Sequence, residues 1–248
     1  MEQRTAARVQ GVVGRIAAVV AVLFALAAVP AAHPRAATIT VNSTADTVAD
    51  DGECTLREAI TAANNNVSFS ATPGECAAGS SGTPDTISFT AAVTGTITLV
   101  SAQLPIIEQS VTITGPGAAV LAVQRNAVNA VRFRIFRINT SSPVTISGLT
   151  ISGGNVGDTE SADSGGGINS NTAGNNLTLD SVVLTGNAAN GESSGGGGIF
   201  ATGTLTVRNS TISDNTASGD TGGGGIRYSS SNGTLTIENS TLSGNIAK

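Results

Sequence analysis

A phrase that repeats through the second half of the chain constrains its fold more than any other feature. Residues 177–179, 205–207 and 235–237 share an apolar–Thr–apolar pattern at spacings of 28 and 30 residues. A second phrase follows each of them and ends in asparagine, at Asn187, Asn215 and Asn245. Repeats of about 20–50 residues are typical of solenoids, propellers and arrays.

Strand periodicity selects among these architectures. Apolar and polar residues alternate in each phrase, as in a strand with one buried face, and Thr, Val and Ile favour strands. Glycine runs before Ile168, Ile199 and Ile226 allow the positive φ angles of tight corners. A propeller blade needs about 40 residues, more than these units contain. We therefore predict an all-β fold, a single-stranded parallel β-helix over residues 85–248, with about three strands in each of roughly six rungs.

The recurring asparagines predict a ladder of amides inside the stack. Asn187, Asn215 and Asn245 occupy equivalent corners, so their side chains can hydrogen-bond from one rung to the next. Gly154 takes this position in an earlier, related unit. We expect Leu, Ile and Val of the phrases to point inward, and Thr and Ser to cover the outer face.

Arginines alternate with apolar residues in the segment 131–138, where a less regular strand is expected. The pattern places Val131 in the core and Arg132 and Arg134 on a solvated outer face. The alternation slips at Phe136, which predicts a bend or a bulge there.

Three charged residues, Asp180, Arg208 and Glu238, stand at equivalent places in successive repeats. They predict an outward column of alternating charge. A catalytic cluster is the alternative, because a β-helix hydrolase would use two or three neighbouring carboxylates. The sequence predicts no catalytic residue, no cofactor and no metal site.

The amino-acid composition argues against several kinds of catalytic and metal site. A Ser-His-Asp site needs a positioned histidine, and a zinc site needs about four Cys, His or carboxylate ligands. The chain has one histidine, His33, and two cysteines. Aromatic residues make up 3% of the chain, which argues against a typical platform for stacking sugars.

An N-terminal capping helix is predicted from a short segment that follows Cys54. Thr55 and Glu58 match a capping box, in which each side chain bonds the main-chain amide of the other residue. Apolar residues fall on one face of this helix, namely Leu56, Ala59, Ile60 and Ala63. Because a solenoid needs covered ends, we predict a structural role for Thr55 and Glu58; a catalytic role for Glu58 and Arg57 is the alternative.

Cys54 and Cys76 are the only cysteines of the chain. A disulfide between them would close a loop of about 20 residues and stabilise the fold by roughly 3 kcal/mol. Two free thiols or a metal-binding pair are the alternatives.

The N-terminus has the pattern of a secretory signal peptide. Arg4, Arg8 and Arg15 precede residues 16–29, a run of 14 residues without a polar side chain. That run is shorter than the about 20 residues that span a bilayer, and Ala31 ends a plausible cleavage site; an uncleaved anchor is the alternative. No second apolar run follows, so the mature chain is not expected to cross a membrane. We predict a signal peptide at 1–31, a cap region at 32–84 and β-helix repeats at 85–248.

The segment from Cys54 to Ile60 reads CTLREAI and follows the strand-like stretch 38–46. Together they resemble the CSLREA domain of exported bacterial proteins, with Thr55 in place of the family's serine. The repeats resemble those of pectin-lyase-like β-helices and of polymorphic outer-membrane proteins, whose Phe-x-x-Asn phrase has Leu184, Ile212 or Leu242 in the Phe position here. The resemblance implies a secreted or surface-attached right-handed parallel β-helix and, from the outer-membrane proteins, adhesion.

The expected function is therefore structural or adhesive, at the cell surface or outside the cell, with extracellular polysaccharide or cell-surface ligands as partners. The alternative is a carbohydrate-active β-helix enzyme, a lyase or a hydrolase. The acidic mature chain does not suit nucleic acid, whose binding proteins carry basic patches. The sequence stops within a rung, so we expect a further C-terminal cap, anchor or translocator.

Overall fold

Strands of two to five residues, most with one buried face, form nearly all of the regular structure. The computed structural model describes residues 35–128, 131–157, 164–220 and 222–248. The strands pair in parallel and stack into a β-solenoid of about five turns, which confirms the predicted architecture. The predicted signal peptide lies outside the described residues. No helix in the described part of the chain is long and apolar enough to span a bilayer.

One helix, α1 (Leu56–Asn65), follows the first strand. The strands, in chain order, are β1 (Thr38–Val41), β2 (Asp85–Phe89), β3 (Gly95–Leu99), β4 (Val111–Thr114), β5 (Leu121–Arg125), β6 (Phe136–Arg137), β7 (Pro143–Ser147), β8 (Thr150–Ser152), β9 (Asn155–Val156), β10 (Ile168–Ser170), β11 (Asn176–Asp180), β12 (Val183–Thr185), β13 (Ala188–Ala189), β14 (Ile199–Ala201), β15 (Thr204–Arg208), β16 (Thr211–Ser213), β17 (Thr216–Ala217), β18 (Ile226–Tyr228), β19 (Leu235–Glu238), β20 (Thr241–Ser243) and β21 (Ile246–Ala247).

The strands form four parallel sheets, which we name A to D. Sheet A contains β1, β2, β4, β7, β11, β15 and β19; sheet B contains β3, β5, β8, β12, β16 and β20; sheet C contains β9, β13, β17 and β21; sheet D contains β6, β10, β14 and β18. The prediction of three strands per rung is therefore wrong in the rungs β7–β10, β11–β14 and β15–β18, which have four. The sequence did not predict the strand of sheet C. This strand has two residues, too few to show an alternation of apolar and polar side chains.

The repeat spacing sets the register of sheet A. Val111, Val144, Leu177, Leu205 and Leu235 are successive partners across this sheet. All except Leu235, in the last rung, are buried, so each strand continues the same apolar column. The spacing of the phrases thus predicted the pairing of these strands correctly.

The four corners of a rung differ in how strictly their length is kept. In the last four rungs, two residues separate each sheet A strand from the following sheet B strand, and two separate sheet B from sheet C. Each A–B corner contains a residue with φ between 47 and 61°, namely Gly148, Ser181, Asn209 and Asn239. By contrast, the turns from sheet D to sheet A contain five, two and six residues after β10, β14 and β18.

Helix α1 covers the N-terminal end of the solenoid, as predicted. It packs against β1 and β2, and its apolar face is buried. The helix begins after Thr55, whose hydroxyl accepts a hydrogen bond from the Glu58 amide. Glu58 is 1% exposed; its carboxylate accepts from the main-chain amides of Thr55 at 2.9 Å and Ala49 at 2.8 Å. Glu58 therefore joins the helix to the loop that precedes it.

Arg57 connects α1 to two other segments of the chain by hydrogen bonds. Its Nε donates to Asp46 Oδ1 at 2.9 Å, and its two terminal nitrogens donate to the carbonyls of Gln103 at 2.7 Å and Ala102 at 3.0 Å. Asp46 in turn accepts from the Val100 amide at 2.9 Å. One guanidinium thus connects the helix, the loop before it and the turn after β3.

Cys54 and Cys76 form a disulfide, and both residues are buried. The bridge connects the start of the capping helix to the segment that leads back to β2. The predicted pairing is confirmed, and the alternatives of free thiols or a metal-binding pair are wrong.

Replacement of Glu58 by alanine is expected to lower the free energy of unfolding by about 2 kcal/mol, because the buried amide of Thr55 and the half-buried amide of Ala49 lose their acceptor. Glu53→Ala is the matched control, since Glu53 lies in the same loop and makes an exposed hydrogen bond to Ser43. Urea denaturation followed by circular dichroism measures both. Equal losses in the two variants would contradict the assigned role of Glu58.

The interior asparagines form a ladder along the B–C corner. Asn187 and Asn215 are at most 1% exposed. The Oδ1 of Asn215 accepts from the amide and the Nδ2 of Asn187, both at 3.0 Å. Asn245 accepts in the same way from Asn215, at 3.1 and 2.9 Å. Each Nδ2 also donates to a carbonyl in the preceding rung, those of Ile151, Leu184 and Ile212.

The ladder ends at Gly154, which donates its amide to Asn187 Oδ1 at 2.9 Å. A side chain has no room at this position, because a Cβ atom would overlap the Gly166 carbonyl. The glycine run that closes the rung therefore occupies the space that an asparagine would need.

The arginine-rich segment 131–138 departs from its predicted arrangement. Arg134 is 8% exposed and thus buried, whereas Val131 is 55% exposed. Of this segment only Phe136 and Arg137 form a strand, with a bend at Ile135. The predicted inward and outward positions of Val131 and Arg134 are wrong, because residues before the bend do not follow a strand's alternation.

The last rung leaves its apolar side chains uncovered, with exposed fractions of 36% for Leu235, 41% for Ile237, 47% for Leu242 and 49% for Ile246. The residues that pair with Leu235, Ile237 and Leu242 in the preceding rung, namely Leu205, Val207 and Ile212, are buried, because a following rung covers them. The expectation of a further C-terminal segment stays a prediction.

Candidate binding surface

A continuous column of threonines runs along the outer face of sheet A. Seven strands place a threonine at the same register position: Thr38, Thr86, Thr112, Thr145, Thr178, Thr206 and Thr236. Their hydroxyls make no hydrogen bond within the described part of the chain. Neighbouring strands lie about 4.8 Å apart, so these hydroxyls form an evenly spaced row that is free to bind a ligand.

A second column, two residues further along each strand, changes from hydroxyl to charge. It begins with Thr40, Ser88, Thr114 and Ser147 and continues with Asp180, Arg208 and Glu238. Arg208 Nε lies 2.9 Å from Asp180 Oδ2. The predicted outward column of alternating charge is therefore present.

Hydrogen bonds keep Asp180 ionised. Asn209 Nδ2 donates to its Oδ1 at 3.0 Å, and this bond, with smaller contributions from Ser181 and Arg208, lowers the pKa of the Asp180 carboxyl. Asp180 therefore presents a fixed negative charge beside the threonine column at neutral pH.

Two clefts lie where the strands of sheet A begin. The first, of about 290 Å³, precedes β2, β4 and β7 and is lined mainly by Ser80, Thr83, Gln109, Ser110 and Ser142. The second, of about 150 Å³, precedes β11, β15 and β19 and is lined in part by Asn175, Thr202, Thr204, Ser230 and Asn232. Both clefts lie along one edge of the solenoid, the first between the loops that lead into β2, β4 and β7 and the second between the D–A turns of later rungs, and none of their lining residues is charged.

Side chains of the first cleft are held in place by the fold. Ser80 Oγ donates to the buried carboxylate of Asp85 at 2.7 Å, and Ser110 Oγ donates to the Pro143 carbonyl at 2.7 Å. Ser110 Oγ can still accept hydrogen bonds through its lone pairs, whereas Ser80 Oγ already accepts from the Ala37 amide at 3.3 Å and lies 3.0 Å from the Thr83 hydroxyl. We call the two clefts and the threonine column together the edge surface.

The residues predicted as structural occupy two other places. Cys54, Cys76, Thr55 and Glu58 lie together in the N-terminal cap, and Asn187, Asn215 and Asn245 line the interior of one corner. The described residues contain no group of three or more His, Cys, Asp or Glu side chains placed to hold a metal ion.

The sequence analysis did not predict the edge surface, although the sequence contains the pattern of one of its two parts, the threonine column. The threonine column comes from the central residue of each apolar–Thr–apolar phrase, so an alignment of the phrases would have shown it. The clefts carry no such signal, because they are built from loops of different length and sequence.

Comparison of the chain with models of known protein families, with curated proteins and with solved structures found no match.

Proposed function

We propose that this chain is a secreted or cell-surface β-solenoid module with a structural or adhesive role, and that its edge surface binds uncharged extracellular polysaccharide. We also propose the finer assignment, a CSLREA-type cap on a right-handed, pectin-lyase-like β-helix. The disulfide supports export, since such bonds persist in oxidising compartments.

The observation that carries the binding proposal is the alignment of two uncharged clefts along one edge of sheet A. An extended polymer that follows this edge would cross successive rungs and meet hydroxyl and amide groups in both clefts. Sugar hydroxyls both donate and accept hydrogen bonds, as do the serine and threonine hydroxyls of the clefts. The Asp180 and Glu238 carboxylates, at the far ends of β11 and β19 from the second cleft and next to the threonine column, disfavour an anionic polymer on the outer face of sheet A.

Affinity electrophoresis with soluble neutral glucans and with an anionic polygalacturonate tests this proposal. The protein is expected to be retarded by a neutral polymer, and Ser142→Arg, which fills the first cleft, to weaken binding about tenfold, or about 1.4 kcal/mol. Thr211→Arg on sheet B is the matched control and should bind as the unmodified protein does. Retardation by none of the neutral polymers, or equal loss in both variants, would refute the proposal.

A carbohydrate-active enzyme is the second candidate, favoured by the column Asp180, Arg208 and Glu238. Its two acids are two strand spacings apart, about 10 Å, close to the about 6.5–9.5 Å between the carboxyl groups of inverting glycosidases. New reducing ends in a polysaccharide incubated with the protein, abolished by Glu238→Gln, would establish this function. Binding without cleavage would instead support the adhesive role.

A further inference from the structure

The outer face of sheet B is a regular array of small uncharged side chains, which we call face B. Its first column consists of Thr96, Ala122, Thr150, Val183, Thr211 and Thr241, and its second of Thr98, Gln124, Ser152, Thr185, Ser213 and Ser243. All twelve are exposed or half-buried. The face thus spans six rungs and two columns.

Charge separates face B from the neighbouring sheet. The outer columns of sheet A include Asp180, Arg208 and Glu238, whereas face B contains no charged and no aromatic side chain. In an acidic protein of net charge −5, a face of this size without charge has no attraction for an ionic partner.

Most hydroxyls of face B are available to an external partner. Within the described residues, those of Thr96, Thr98, Ser152, Thr211, Thr241 and Ser243 make no hydrogen bond. Thr150 donates to the Ala118 carbonyl at 2.7 Å, and Ser213 donates to Thr185 at 3.1 Å. Each free hydroxyl can both donate and accept, and the threonine methyl groups, Ala122 and Val183 fill the spaces between them.

The positions of these groups repeat in two directions. Adjacent rungs are about 4.8 Å apart, and the two columns are separated by two residues of strand, about 6.6 Å. The asparagine ladder and the constant two-residue corners support the last four of the six strands of this grid from inside. A rigid, uncharged grid of donors and acceptors matches a partner that is itself an uncharged lattice of donors and acceptors.

We propose that face B binds the surface of ice, with its two columns of hydroxyl and methyl groups holding a first layer of water molecules in positions that continue into the crystal. Water ordered in this way hydrogen-bonds both to the face and to the lattice. A charged side chain on the face would break the match, because an ion orders water around itself.

The test is thermal hysteresis, the gap between melting and freezing temperatures of a single ice crystal in a solution of the purified protein, together with crystal shape. A measurable gap and faceted crystals are expected. Thr211→Arg and Thr98→Arg should each abolish both effects. Thr206→Arg, in the same rung as Thr211 but on sheet A, should retain them; circular dichroism and melting temperature verify that all three variants fold.

Round crystals with no gap from the folded, unmodified protein would overturn the proposal, as would equal loss in Thr206→Arg and Thr211→Arg. Loss of polysaccharide retardation in Thr211→Arg, without any effect of the protein on ice, would assign face B to a polymer instead. These outcomes are independent of Ser142→Arg, so failure of ice binding and failure of the proposed adhesive function are distinguishable.

Discussion

Asn215→Ala is expected to lower the free energy of unfolding by about 3–4 kcal/mol, because several buried polar groups lose their partners at once. The amide and Nδ2 of Asn187 lose their acceptor, and the Leu184 carbonyl loses a donor. Alanine offers none of these bonds and leaves a cavity, which adds to the cost. The rungs on both sides are affected, since the ladder bonds cross from one to the next.

Urea denaturation at equilibrium measures this loss, with Asn190→Ala as the matched control. Asn190 lies in the same rung as Asn187 and also bonds across rungs, to Asn155 at 2.8 Å and Ser218 at 3.0 Å, but its side chain is half-exposed. Water replaces its lost bonds, so the control should lose less than about 1 kcal/mol. A smaller loss for Asn215→Ala than for Asn190→Ala would show that the ladder does not stabilise the stack.

Removal of the disulfide is the second substitution with a large expected effect. Cys54 and Cys76 are 22 residues apart, and a bridge that closes a loop of this length stabilises a fold by about 3 kcal/mol. The effect should be concentrated at the cap, because the bridge connects the start of α1 to the segment that leads to β2. Without it, α1 is expected to leave the end of the stack before the later rungs unfold.

Denaturation of the Cys54→Ala/Cys76→Ala variant, with and without a reducing agent, measures this contribution. The reducing agent should destabilise the unmodified protein and have no effect on the variant, which serves as the control for nonspecific action. Limited proteolysis should cut the variant first near the cap. An unchanged denaturation midpoint in the variant would mean that helix packing alone holds the cap.

The repeated parts of the fold could be predicted from the sequence. Contacts that occur only once in the structure could not. The spacing of the phrases specifies the pairing of Leu177 with Leu205 and Leu235, because each phrase needs the same neighbours to bury its apolar residues. Arg134 was misplaced because its burial depends on a bend at Ile135 rather than on alternation. The strands of sheet C were not predicted, because two residues are too few to show an alternation and the strands are recognised only by their pairing with neighbouring rungs.

In the cap and at the candidate site, too, local contacts could be predicted from the sequence and long-range contacts could not. The local pattern of Thr55 and Glu58 was sufficient to predict a capping box, since its bonds lie within one helical turn. The role of Arg57 was not predictable, because its partners at Gln103 and Ala102 lie more than 40 residues away in the chain. The edge surface likewise depends on turns that meet only when the rungs stack.

The number of residues is constant at some corners of the solenoid and varies at others, and this difference has an evolutionary consequence. In the last four rungs the A–B and B–C corners all contain two residues, whereas the D–A turns differ by up to four residues between rungs while the strands of sheet A stay in register. The D–A turns line the second cleft and part of the first, and loops that tolerate change are where binding residues concentrate. Selection can therefore remodel what this edge recognises by changing turn length, while the inherited pairing of the strands stays intact.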